Sequence, residues 1–149
     1  MKRQILSANI LEMISNLIGD TNEGLKGSEI TRFLAQAHID EKEEDKAMTK
    51  RMRLFNAFAN FQNKERCSNN ILNFISLVLS PSRYVNDKSK FDNLRTKINQ
   101  QLAFVGYELK EDGKYRLIQK ASTISDVQIK TENLKQELDK RNAHAEIFK

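Results

Sequence analysis

The chain has 149 residues and a formal net charge of +5, with 39% hydrophobic and 30% charged residues, one Cys, one Pro and no Trp. That length fits one domain, or one domain with an appendage, and a chain of this size buries about 68–70% of its unfolded surface, enough for a real core. The composition does not fit a disordered chain, and the lone Cys67 excludes a disulfide framework or a multi-cysteine zinc site; with no apolar run near the roughly 18 residues of a membrane span and no signal-peptide pattern, the expected compartment is the cytoplasm.

The first segment, Arg3 to Ile18, reads as an amphipathic helix, with Ile10, Ile14 and Leu17 at i, i+4, i+7. Gly19 to Gly24 is a turn-rich break. A short helix follows with Ile30, Phe33, Leu34 and Ala37 on one face; Lys26 stands where a capping box would place Ser or Thr. Residues 38–46 (HIDEKEEDK) form a charged connection, expected to be a solvated loop or helix start. Residues 47–64 form a helix with Leu54, Phe55, Phe58 and Phe61 inward, with Lys46, Arg53 and Lys64 on the opposite side and Lys50 and Arg51 flanking the apolar stripe.

Ser68 or Asn69 can cap the next helix, which is apolar nearly all round (Ile71, Leu72, Phe74, Ile75, Val78, Leu79) and should be the central buried one. Ser80-Pro81 ends it. Ser89 and Asp92 resemble a capping box for a helix carrying Phe91, Leu94, Ile98, Leu102 and Val105, with Gly106 as its C-cap glycine. The period then changes to 2, and YELK and KYRL flank Glu111-Asp112-Gly113 as a hairpin. A two-residue turn would mix the faces. A three-residue loop with Gly113 left-handed pairs Leu109 with Tyr115, Tyr107 with Leu117 and Glu108 with Arg116, which separates them. A last helix, about Thr123 to Arg141, has a narrow seam of Ile124, Val127, Leu134 and Leu138, suited to one partner helix or to a homodimer contact.

Charge divides unevenly along this order. Residues 1–45 hold five basic and nine acidic side chains, net −4, whereas residues 46–120 hold 15 basic and six acidic, net +9. Such an excess is a candidate surface for a polyanion, because Lys and Arg that neutralise phosphates release condensed counterions. The other reading is a solvated face of scattered bases. Helices followed by a hairpin match a winged-helix-like layout, in which the helix bearing Lys50, Arg51 and Arg53 would read nucleic acid and Lys110, Lys114 and Arg116 would ride on the wing. The expected phosphate contacts are Lys50, Arg51, Arg53, Lys64, Arg83, Lys114 and Arg116.

Catalytic signatures are missing. The sequence has no Gly-rich phosphate loop, no HExxH and no Cys pair, and its two imidazoles, His38 and His144, lie far apart along the chain. The acids at 40–45 lack the glycine and spacing of a calcium loop. No enzyme activity, metal or cofactor is expected.

The stretches GLKGSEITRFLAQAHI (24–39), TKRMRLFNAFANFQN (49–63), ILNFISLVLSPSRYV (71–85), FDNLRTKINQQLAFVGYELKEDGKYR (91–116) and ENLKQELDKRNAHAEIFK (132–149) resemble the N-terminal module of bacterial abortive-infection proteins of the AbiJ type, which carry a C-terminal HEPN-type ribonuclease-like domain. The resemblance covers most of the chain, and its motifs are structural. It implies a regulatory or sensing module of a phage-defence protein that controls an attached effector. Arg141 and His144 have only two residues between them, short of the four to six the HEPN motif would place there, so that domain is expected to be absent. Lys26, in place of Thr, and the acidic, proline-free 38–46 connection depart from the family pattern.

The expected architecture is therefore mainly α (α+β). About five packed helices and one hairpin make a winged-helix-like domain over 1–121, and a linker helix occupies 122–149. The expected ligand is nucleic acid, DNA or RNA, bound without sequence preference. The alternatives are a protein-interaction or dimerisation module and a free-standing winged-helix DNA-binding regulator.

Overall fold

The computed structural model describes residues 2–128. Five helices run in order: α1 (Ala8–Ile18), α2 (Gly27–Gln36), α3 (Lys50–Glu65), α4 (Asn69–Val78) and α5 (Lys88–Leu102). An antiparallel hairpin follows, β1 (Tyr107–Leu109) and β2 (Tyr115–Leu117), and 3-10 turns occupy Glu43–Ala47, Pro81–Tyr84 and Ala103–Val105. Residues 124–128 are helical again. Among the described residues no helix is long and apolar enough to cross a membrane.

α4 is the central helix its composition predicts. Ile71, Leu72, Phe74, Ile75, Val78 and Leu79 are all buried. The Phe74 ring meets Phe33 of α2 edge-on at 6.4 Å and Phe58 of α3 at 5.1 Å, so one aromatic knot joins three helices. α1 packs against both α3 and α5 through Ile10, Leu11, Ile14 and Ile18.

α1 starts five residues later than its periodicity predicts, behind Ser7, whose Oγ accepts from the Ile10 amide. Residues 3–6 are extended because their backbone groups have other partners. Gln62 of α3 accepts from the Leu6 amide at 2.8 Å and donates to the Leu6 carbonyl at 2.9 Å, as a neighbouring strand would. Asn69 accepts from the Arg3 amide, and Ser68 donates its amide to the Arg3 carbonyl and its hydroxyl to the Gln4 carbonyl. Ser68 occupies the N-cap position of α4, as expected, but its hydroxyl is spent on the N-terminal segment and makes no capping bond to the helix.

The hairpin has the predicted register, with Gly113 at φ +87°. It differs from a projecting wing, because Ser76 of α4 donates to the Gly113 carbonyl at 2.7 Å and Tyr115 donates its hydroxyl to the Leu72 carbonyl at 2.6 Å. The outer edge of β1 is covered by α5. Asn99 accepts from the Leu109 amide at 2.8 Å and donates to its carbonyl at 3.0 Å, and buried Arg95 donates to that carbonyl too. Gln62 and Asn99 thus repeat one device: a buried carboxamide satisfies backbone groups on an edge of a short extended segment that no strand pairs.

Two further expectations change. The N-cap of α5 is Asp87, which accepts from the Lys90 amide, and Asp92 is instead paired with Lys88. The 38–46 connection is not solvated throughout. Asp45 is buried and accepts from Asn56, and Glu41 is drawn onto Arg53. At the C-terminal end, Val127 packs inward on Ala103 and Ala121, whereas Ile124 is 73% exposed. Leu134 and Leu138, and most of the expected linker helix, lie outside the described residues.

Candidate nucleic-acid interface

The acidic first block and the basic middle block fold onto each other. Each of the eight ion pairs among the described residues uses a base from 46–120, and five of the eight take their acid from 1–45: Asp20, Glu23, Glu29, Glu41 and Glu43. Much of the +9 excess is consumed within the molecule, so the seven predicted phosphate contacts divide.

Arg53 is withdrawn. Its Nε and Nη2 donate to the two Glu41 oxygens at 2.8 Å each, Nη1 donates to the Gly27 carbonyl and Nη2 also to Thr31, with the side chain 8% exposed. The helical period put Arg53 opposite the apolar stripe, but that side of α3 faces α2 and the 38–46 connection. The Glu41 carboxylate holds the guanidinium even more firmly protonated than usual. Arg51 is paired with Asp20 at 3.2 Å and Arg116 with Glu108 at 3.0 Å, both at exposed sites. Arg83 pairs with Glu29 at 2.9 Å, donates to the Val78 carbonyl and lies over the Phe33 and Tyr84 rings. Lys50, Lys64 and Lys114 make no ion pair among the described residues. Lys50 and Lys64 stand at opposite ends of α3, about 21 Å apart at 1.5 Å per residue. The seven do not form one patch.

A smaller group does converge. A half-open groove of about 1000 Å³ runs between the α1–α2 loop and α5, and reaches the first residue of α3 and the Pro81–Tyr84 turn. The loop wall is rigidly wound. The Asp20 carboxylate accepts from the Asn22 and Glu23 amides, the Gly24 amide returns to the Asp20 carbonyl and the Leu25 amide to Ile18. Those amide contacts, with Arg51, keep the Asp20 carboxyl below the usual carboxylate range. Gly24 is required by close approach: a Cβ there would lie 2.4 Å from the Asp20 amide nitrogen and the Ile18 carbonyl oxygen. Lys50 Nζ reaches the Thr21 carbonyl at 3.3 Å and joins the loop to α3.

Five basic residues line the groove: Lys26, Lys50, Arg83, Lys90 and Lys97. Of these, Lys26, Lys50 and Lys97 have no carboxylate within salt-bridge distance among the described residues. Four acids also line it. Asp20 and Glu29 are paired with Arg51 and Arg83, Asp87 accepts from the Lys90 amide, and Glu23 stands 3.9 Å from Lys90. Glu29 also accepts from the Lys26 amide at 2.9 Å, which supplies the half of a capping box that a lysine N-cap leaves possible. That bond, followed by Arg83, lowers the Glu29 pKa. Leu17, Leu25 and Leu94 supply apolar lining, and Asn16, Asn22 and Asn93 supply carboxamides.

Of the residues expected to contact phosphate, Lys50 and Arg83 line this groove; its other bases, Lys26, Lys90 and Lys97, were not among them. A signal existed for the last two: Lys90, Asn93 and Lys97 recur at i, i+3, i+7, on one face of a predicted helix. Lys26 had none, because it sits in the acidic block.

Among the described residues no group of three or more His, Cys, Asp and Glu is placed to hold a metal ion, and Cys67 is a buried free thiol. Compared with protein-family models, with curated proteins and with solved structures, the chain has no significant match.

Proposed function

We propose that this chain is a regulatory, non-catalytic module of an abortive-infection-type defence protein, which binds nucleic acid through the groove between the α1–α2 loop and α5 and passes the bound state to an attached effector. The observation that carries the binding half is electrostatic. Folding pairs eight bases of the middle block with acids, yet leaves Lys50 and Lys97 with no ion pair among the described residues, and Lys26 with only a longer-range attraction to Glu29, around one concavity. Unpaired cations gathered in a cleft focus the field and attract a phosphate chain more than the same charges dispersed. The defence context rests on the sequence resemblance alone. The groove takes the place expected of a winged-helix reading surface, since Arg53 is bound inward and the hairpin tip is bound to α4.

The test is binding of the full chain to labelled nucleic acid across a salt series. Log K falls with log salt by about 0.7 per phosphate neutralised on a single strand and 0.9 on a duplex. Lys50→Glu with Lys97→Glu should abolish most of the affinity and flatten that slope, while Lys64→Glu with Lys114→Glu, outside the groove, should weaken binding far less. Equal effects of the two double variants would reject the groove as the site.

A second reading, a protein-interaction module, has one specific observation behind it: the apolar side chains of Leu117 and Ile124 are 67% and 73% exposed. It requires self-association or partner capture that Ile124→Ser disrupts, checked by sedimentation.

A further inference from the structure

The groove is better matched to an unpaired strand than to a duplex. Its cations stand around a concavity with apolar lining from Leu17 and Leu94, both half-buried, and with carboxamides from α1, the loop and α5. A duplex keeps its base faces stacked and presents phosphates on a convex surface, so it can meet lysines but cannot place a base in a cleft. In an unpaired strand, base faces can lie on apolar groups, base edges can bond to carboxamides and phosphates can stay on lysines. On α5, Lys90 and Lys97 stand about 10 Å apart along the axis, with Asn93 and Leu94 between them, so one wall offers all three kinds of contact in sequence.

We infer that the ligand of this groove is single-stranded nucleic acid, with at least one base seated between Leu17 and Leu94 and bonded through Asn93. The inference rests on the nucleic-acid reading above and specifies its ligand class. Asn93 sets the base and Lys50 and Lys97 the phosphates, while Glu23, whose ion pair is the longest of those lining the groove, opposes binding.

The experiment uses the full 149-residue chain and three probes: a fluorescein-labelled ten-nucleotide oligouridine strand, a labelled ten-base-pair RNA duplex, and uridine monophosphate as competitor. The strand should bind about tenfold more tightly than the duplex, since each base–protein contact adds affinity that a stacked base cannot. Asn93→Ala, an exposed site whose loss leaves the core intact, should weaken strand binding about five- to tenfold and leave duplex binding unchanged. Glu23→Gln should strengthen strand binding about two- to threefold at low salt, and the gain should fade at high salt. A duplex bound as tightly as the strand, or an Asn93→Ala variant that weakens both probes equally, overturns the inference and leaves a phosphate-binding groove. Monophosphate binding without strand binding overturns it in favour of a nucleotide pocket. Failure of both labelled probes to bind defeats the nucleic-acid reading itself.

Discussion

Two arginine–glutamate pairs, Arg53–Glu41 and Arg83–Glu29, are similar in length at 2.8 and 2.9 Å and differ in surroundings. In the first, both side chains are under 10% exposed, the carboxylate is held bidentately, and the guanidinium also joins the Gly27 carbonyl and Thr31. In the second, both are about a quarter exposed, and the groove opens beside them. A desolvated pair is costly to break from one side, because the remaining charge is stranded, whereas a wet pair is readily replaced by water and ions. The first is therefore a strut that fixes α3 against α2. The second is a contact at the edge of a site, where an incoming anion can compete with Glu29 for Arg83.

Substitution of the strut should have the largest effect. Arg53→Ala strands Glu41 and should cost about 3–5 kcal/mol, read by chemical denaturation. Arg53→Met combined with Glu41→Leu should recover much of that loss, and no recovery would mean the pair does more than compensate its own burial. Gln62→Ala comes next. It leaves the Leu6 amide and carbonyl unsatisfied and should cost about 2–3 kcal/mol, with faster hydrogen exchange at Leu6. Arg83→Ala should cost less, about 1–2 kcal/mol, because solvent screens its ion pair and the main loss is its bond to the Val78 carbonyl with its ring contacts. A loss as large as that of Arg53→Ala would erase the distinction between the pairs.

The smallest effect is one of pH. The folded state lowers the Glu29 carboxyl below its ordinary value of 4.5, first through the Lys26 amide and then through Arg83. The stabilisation is therefore complete above 4.5 and disappears as pH falls through the lower folded value. Wild type and Glu29→Gln should show a constant stability difference from pH 7 to 5 and converge in more acidic buffer. A difference that changes between pH 7 and 5 would place the titration elsewhere.

Legibility varied with the kind of force involved. Helices α2 and α4 and the hairpin register could be read because a single apolar stripe, or a single face-sorting register, was compatible with the residues. The start of α1 could not, because residues 3–6 are suited to a helix and are held out of it by Gln62, Ser68 and Asn69, 56 or more positions away in sequence. Of the candidate interface, Lys50 and Arg83, expected as phosphate contacts, line the groove, whereas Arg53 is bound inward. A helical wheel shows which side of α3 is not apolar; it does not show that another element covers that side. The acids at 41 and 45 were misjudged for the same reason, since their burial depends on Arg53 and Asn56 arriving from α3.

Local order along the chain was sufficient for the helical class, the central helix, the glycine-bearing hairpin loop and the charge contrast between its first 45 and next 75 residues. These depend on interactions within a turn, a strand pair or a stretch of composition. Which bases stay free was decided only in three dimensions. Ion pairing is set by distance through space, and folding brought the acidic block onto the basic one, leaving three lysines around a single groove.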